Sequence, residues 1–307
     1  MEGSDVEGIV IAGAGLAGLA TALGLHRKGV RSLVLESSAT LRASGFAFTT
    51  WTNAFRALDA LGVGDKIREH HLLYESGPHE IRCVKRYFLR ETLENELPEG
   101  TIRFSSKIVS IEGRRQCEAL TFGRWLNDKS KDGDAEESVA KMRSYVLAKL
   151  RAARIPAEAL DVIERSEMSD VVSSPLRFRS PLALVRGSIS RGNVCVAGDA
   201  FHPTTTELGQ GGCAALEDGV VLARCLSEAF LADGAEHDPG YEAVTAALEK
   251  YAEERRWRGI RLITAAYVVG FIQQSTNPVI KFLREKFLSG LLAKTMITMA
   301  DYDCGKL

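Results

Sequence analysis

No stretch of the chain stays apolar long enough to cross a bilayer. The longest uncharged run, Leu262 to Ile280, is broken by Gln273, Gln274, Ser275, Asn277 and Pro278, which argues against a spanning helix. Charge of one sign is lacking as well: 39 basic against 40 acidic residues leave a net charge of -1. Bulk electrostatics therefore give no general pull toward nucleic acid or anionic lipid, and nucleic acid is excluded as an expected partner. The six cysteines (Cys83, Cys117, Cys195, Cys213, Cys225, Cys304) form no C-x-x-C pair. Three lie inside apolar runs, a pattern that speaks against a disulfide framework or a zinc site and for a reducing compartment. The first strand pattern begins eight residues from Met1, which leaves no space for a signal or transit peptide, so a cytoplasmic location is expected. No internal repeat is found. What remains is ordinary for a globular protein: 45% hydrophobic and 26% charged over 307 residues, enough for one large or two modest domains.

Against that background one stretch stands out, Gly8 to Glu36. A buried-strand run, Ile9 to Ala12, breaks into Gly13-Ala14-Gly15-Leu16-Ala17-Gly18, a G-x-G-x-x-G at the point where a strand hands over to a helix. Gly13 permits the tight turn, Gly15 leaves room for a pyrophosphate against bare backbone, and Gly18 lets the helix lie close to the strand. The free amides and positive end of that helix suit phosphate. Ala22 and Leu25 continue the apolar face, Gly29 caps the helix, and a second strand, Ser32 to Leu35, ends at Glu36. That carboxylate is placed to accept from both ribose hydroxyls of an adenosine, and no Arg follows it to welcome a 2′-phosphate, so FAD or NAD fits better than NADP.

Farther on, a loop leads into a helix with Ala54, Leu58 and Leu61 on one face and Gly62 at its end. Arg42, in the loop, could reach a pyrophosphate or simply face solvent. Glu80 to Leu97 changes from strand to helix, with Leu89, Leu93 and Leu97 at a spacing of four and Arg86 at the switch. Thr101 to Glu112 reads as two short strands that extend the parallel sheet. Residues 113–135 are polar and aperiodic, an irregular connection or boundary. A helix follows from about Glu136, and Pro156 opens another over Ala157 to Glu164.

A second signature runs from Asn193 to Asp218. Val194 to Ala197 reads as a buried strand ending in Gly198-Asp199, and Gly209, Gly211 and Gly212 then open a helix carrying Leu216, Val220, Ala223 and Phe230, with Gly234 as its stop. A second glycine-rich helix start thus faces the same end of the sheet as the first. In Tyr241 to Leu307, apolar stripes alternate with Arg255, Arg256, Arg258, Arg261, Lys281, Arg284 and Lys286. These suit packing onto the nucleotide-binding domain or a twin subunit better than a membrane surface, which stays open as a peripheral contact.

At these signatures the sequence resembles the single-component FAD-dependent aromatic hydroxylases, the p-hydroxybenzoate-hydroxylase-like monooxygenases, and especially their plant branch. The resemblance covers the N-terminal fingerprint, WTNAFRALDALGVGDKI, HEIRCVKRYFLRETL, SSPLRFRSPLALVRGSISRGNVCVAGDAFHPTTTELGQGGCAALEDGVVLARCL and the tail ending DYDCGKL. It implies an α/β fold: a Rossmann-like parallel sheet that binds FAD, a reduced substrate domain and a C-terminal helical segment. Gly13, Gly15, Gly18 and Glu36 would hold the ADP half of FAD, and Arg42 and Arg86 would contact the cofactor. Asp199 would accept from the ribityl chain, Pro203 would line the flavin face, and Gly209, Gly211 and Gly212 would present amides to ring and pyrophosphate. The implied chemistry has NAD(P)H reduce the flavin and O₂ add at C4a, after which the hydroperoxide gives one oxygen to a small organic substrate, aromatic in much of the family. No nucleophile or triad is visible, and His202, beside the flavin loop, receives no role. The expected organisation is the first half of the FAD-binding domain over 1–112, a substrate-domain remnant over 113–185, the second half over 186–235 and C-terminal helices over 236–307.

The sequence departs from that family in the middle. Between the strand near Ile111 and the helix near Val139 the family carries much of the sheet that roofs the substrate, and an Asp-Gly motif after a strand. Here Asp132-Gly133 lies in a polar run instead. An unroofed flavin is expected to release hydrogen peroxide rather than hydroxylate. The competing reading is a non-catalytic shortened form that binds FAD weakly or pairs with a full-length relative.

Overall fold

The computed structural model describes residues 8–41, 47–75, 79–109, 119–121, 135–166, 179–232 and 239–307. Two compact units are distinguished, Met1–Arg124 together with Arg177–Leu307, and Trp125–Leu176.

The first unit is built on a four-stranded parallel sheet. Its strands are β1 (Val10–Ala12), β2 (Leu33–Leu35), β6 (Ile102–Arg103) and β7 (Ala119–Thr121), in the order β6-β2-β1-β7. Register pairs Ile11 with Val34 on one side and with Leu120 on the other. Parallel strands need a crossover, and α1 (Leu16–Arg27) supplies it between β1 and β2. Gly29, at φ 78°, takes the left-handed turn that ends this helix, as expected. β7 corrects the reading of residues 113–135 as wholly irregular: Ala119–Thr121 pairs with β1 despite the polar residues around it. Of the two strands expected in Thr101 to Glu112, β6 forms and Ser106–Val109 do not; residues 110–112 lie outside the described residues.

A second, antiparallel sheet joins β3 (Ala47–Thr50), β5 (Ile81–Lys85) and β4 (Leu73–Glu75), with β5 in the middle. α2 (Thr52–Ala60), α3 (Gly64–His70) and α4 (Arg86–Asn95) accompany it; of the stripes anticipated from spacing, Ala54, Leu58, Leu61, Leu89 and Leu93 are fully buried, while Leu97 lies just past the end of α4 and is half-buried. In the Trp125–Leu176 unit, α5 (Ala135–Ala152) and α6 (Ala157–Arg165) pack together, with Arg143 donating to the Ser166 carbonyl at 2.8 Å.

The chain then adds α7 (Pro181–Arg186) and a short hairpin of β8 (Ser190–Arg191) and β9 (Val194–Cys195). β9 is shorter than the expected Val194 to Ala197 and pairs antiparallel with β8. The long helices follow: α8 (Gly211–Leu231), α9 (Gly240–Gln274), and α10 (Pro278–Leu283) running through a π-helical turn, Arg284–Leu288, into α11 (Ser289–Ala300). α8 lies directly on α1. A methyl placed on Gly219 would come within 2.4 Å of Ala20 Cβ, and one on Gly24 within 2.6 Å of Ala223 Cβ. Small residues on both helices thus let the backbones approach, and this contact brings the two glycine-rich helix starts together. Gly234, expected to stop α8, lies outside the described residues.

Candidate functional site

β1 ends at Ala12 and the chain turns at Gly13, whose φ of 100° is open only to glycine at little cost. The Gly13 amide donates to Leu35 O at 2.8 Å, which ties the loop to the end of β2. Gly15 is the N-cap of α1, and no side chain caps the helix. A methyl on Gly15 would meet nothing within 4 Å, so the space before the helix start is open and its amides face it. Gly18 is the opposite case: a methyl there would lie 2.1 Å from Gly13 O and 3.3 Å from Ile11 Cγ2. One glycine leaves a cradle and the other closes helix onto strand.

Glu36 stands at the end of β2 beside this loop. Its Oε2 accepts the Ala14 amide at 2.9 Å and its Oε1 the Ser38 amide at 2.8 Å. Partial burial pushes its pKa up, but the Ser38 and Ala14 amides outweigh that and hold the carboxyl below its usual value. The group is therefore a carboxylate at neutral pH; the Ser37 hydroxyl also donates to its Oε1, at 3.3 Å, which leaves room on Oε2 for a further donor. Arg90, which sequence reading missed, donates through Nη2 to Ala14 O at 3.1 Å. The available signal was its position four residues after Arg86, on the same face of α4. Arg86 itself is half-buried at the first position of α4, next to β5. Arg42 lies outside the described residues.

The second signature meets the first. Gly198, at φ 58°, is wedged between the helix starts: a methyl there would lie 3.0 Å from Ala17 Cβ of α1 and 3.6 Å from Ala215 Cβ of α8. Asp199 follows in a short 3-10 turn and is exposed, with Oδ1 4.0 Å from a methyl placed on Gly211. Pro203 is half-buried, and its carbonyl accepts from the Arg179 amide at 3.3 Å. Gly209 is left-handed, φ 61°, and a methyl on it would come within 3.4 Å of Trp51 Nε1. Gly211 and Gly212 open α8, and a methyl on Gly212 would approach Phe48 Cε2 to 2.8 Å and Leu16 Cδ1 to 3.3 Å. Leu16 is the first residue of α1, so two helix N-termini stand side by side.

Behind the loop lies a buried ionic network. Asp218 Oδ2 accepts the Gly198 amide at 2.7 Å and lies 2.6 Å from His202 Nε2, while Oδ1 accepts from Arg255 Nε at 2.6 Å. Glu217 accepts from Arg255 Nη2 at 2.7 Å, from Arg258 Nη2 at 2.7 Å, and from Asn53, whose amide also donates to Gln210 Oε1 at 2.8 Å. Tyr302 closes the network from the C-terminal tail, its ring 5.1 Å from the Arg255 guanidinium carbon and 4.5 Å from that of Arg258. Burial raises the Asp218 pKa, but the His202 and Arg255 charges outweigh it and bring the group from its ordinary 3.8 to about 2. Asp218 and Glu217 thus fix the loop at Gly198, His202 and Gln210. Arg255 and Arg258 pack onto the nucleotide-binding unit, as the sequence reading preferred.

The residues present fit a dinucleotide. A cradle free of side chains lies at Gly15, a charged carboxylate at Glu36, and the second loop carries two buried polar atoms without a protein partner, Thr205 Oγ1 and Gln210 Nε2, with a third, Trp51 Nε1 from the start of α2, close to Gly209. Beside that loop, Thr205, Glu207, Ala266, Tyr267, Gly270 and Phe271 line a cleft of about 300 Å³.

Fold and site together define a flavin-binding α/β protein. Residues 6–121 match the family described as FAD binding domain. Monooxygenase 2 of Arabidopsis thaliana is 37% identical over 407 aligned positions, covering 100% of both chains, and Monooxygenase 1 of the same plant is 30% identical over 398, covering 98% of this chain and 99% of that one. Among solved structures, Klebsiella pneumoniae HpxO complexed with FAD and uric acid superposes with a TM-score of 0.68 at 18% identity, covering 96% of this chain and 97% of that one, a likeness of fold. The chain belongs to the FAD-dependent, aromatic-hydroxylase-like monooxygenases, a family of flavoprotein oxidoreductases. An alignment of 407 positions on a chain of 307 residues leaves a gap of about a hundred positions on this side.

Proposed function

We propose that this chain binds one FAD across the two glycine-rich helix starts and takes electrons from NAD(P)H to reduce O₂, with hydroxylation of a small organic substrate as the ancestral outcome. The observation that carries this reading is the meeting of Gly15, Glu36, Asp199 and Gly212 at adjacent ends of β1, β2, α1 and α8. The α1 amides would hold the pyrophosphate and Glu36 would accept the adenosine ribose hydroxyls. Asp199 would accept from the ribityl hydroxyls, and the amides of Gly211 and Gly212 would face the flavin. Arg90, through Ala14, would keep the first loop in shape, and Arg86 would add positive charge near the phosphates.

When bound, FAD supplies the redox chemistry and O₂ activation. What the chain must add is a dry pocket, and here the gap of about a hundred positions weighs against it. Pro203 and the cleft lined by Tyr267 and Phe271 would cover one side of a substrate. The same gap supports a second reading, a non-catalytic shortened form that holds FAD weakly or pairs with a longer relative. The two separate on an NAD(P)H oxidation assay of the FAD-loaded protein with simultaneous peroxide detection. Oxidation with nearly all the reducing equivalents recovered as hydrogen peroxide supports the unroofed enzyme; no oxidation of either NADH or NADPH leaves the non-catalytic form.

A further inference from the structure

The C-terminal helical hairpin offers a surface the flavin site does not use. α10, the π-helical turn and α11 form one helical run from Pro278 to Ala300, joined to α9 by a short connection whose Asn277 side chain caps α10 by accepting from the Val279 amide at 2.9 Å. Its inner side is satisfied: Met296 and Met299 pack on Leu208, Ala266 and Val269. Its outer side exposes apolar residues to solvent. Val279, Phe282 and Leu283, at the i, i+3, i+4 spacing of one helix face, are 65%, 55% and 40% exposed, and Ile297 one run further is 41% exposed.

Charge separates the candidate occupants. Between Ser275 and Ala300 the chain carries Lys281, Arg284, Lys286 and Lys294 against the single Glu285, whereas the whole protein is at -1. Lys281, Lys286 and Lys294 are exposed beside the apolar residues. Two copies of so basic a face would repel each other, while an anionic bilayer would attract both its charge and its apolar residues. The run cannot span: no described helix is long and apolar enough to cross a membrane. It can lie in the interface, with lysine stems reaching toward headgroups and Val279, Phe282 and Leu283 below them.

We infer that the outer face of α10–α11 docks on an anionic lipid surface, as a peripheral contact. The inference is independent of flavin chemistry. The test is flotation of the full chain with vesicles of phosphatidylcholine alone and of phosphatidylcholine mixed with phosphatidylserine. The chain is expected to float with the mixed vesicles and to lose that association in high salt. Phe282→Glu with Leu283→Glu should abolish flotation, and Lys281→Gln or Lys286→Gln should each weaken partitioning by about fivefold, all with an unchanged far-ultraviolet dichroism spectrum. A wild-type chain that floats with neither vesicle overturns the inference. So does a concentration-dependent dimer in sedimentation that Phe282→Glu dissociates, since the face would then belong to a second copy.

Discussion

Gly15 and Gly18 stand three residues apart in one loop and should respond oppositely to the same added methyl group. At Gly15 the methyl meets no atom of the protein; at Gly18 it meets Gly13 O at 2.1 Å. Gly15→Ala is therefore expected to cost the FAD-free protein no more than about 1 kcal/mol while lowering FAD affinity by about tenfold or more, because the methyl occupies the pyrophosphate's place. Gly18→Ala should cost about 1–3 kcal/mol of stability through overpacking. Thermal unfolding and titration by flavin fluorescence read the two effects separately, and a Gly15→Ala protein with wild-type FAD affinity would contradict the assignment. These glycines and Glu36 were legible in the sequence because a strand-turn-helix fixes their spacing. Arg90 was not: its spacing of four from Arg86 marks a shared helix face but not its partner, the Ala14 carbonyl, which lies 76 positions away.

Elements far apart in sequence are held by the buried charges, and here the sequence was least informative. Arg255 and Arg258 read as members of a basic series on α9; only the packing of α9 on α8 shows that they face Glu217 and Asp218, 37 to 41 positions earlier. β7 was hidden for a related reason, because a three-residue strand among polar neighbours has too few positions to show a period. By contrast α2, α4 and α8 were readable, each long enough to repeat an apolar face. Asp218→Asn is expected to destabilise the protein by about 3–5 kcal/mol at neutral pH, by leaving Arg255 buried with part of its charge uncompensated. The sign of the pH dependence follows from the lowered pKa. Asp218 contributes stability that is fully present above about 4 and is lost as pH falls toward about 2. Chemical denaturation across pH should show a steeper acid limb in the wild type than in Asp218→Asn, and parallel limbs would contradict this role.

For the whole molecule the question is whether the two halves of the flavin site close without the stretch that relatives carry. The contacts that align them are internal to the described unit: α1 against α8, Gly198 between them, and the Asp218 network behind. These contacts join the two signatures directly, which is why the sequence could announce each of them while leaving their meeting to the fold. The most direct measurement is an absorbance spectrum of the purified chain after incubation with FAD and removal of the excess. Flavin bands at close to one FAD per chain are expected. A colourless protein that folds yet cannot be loaded would contradict the closed two-loop site at the centre of this reading.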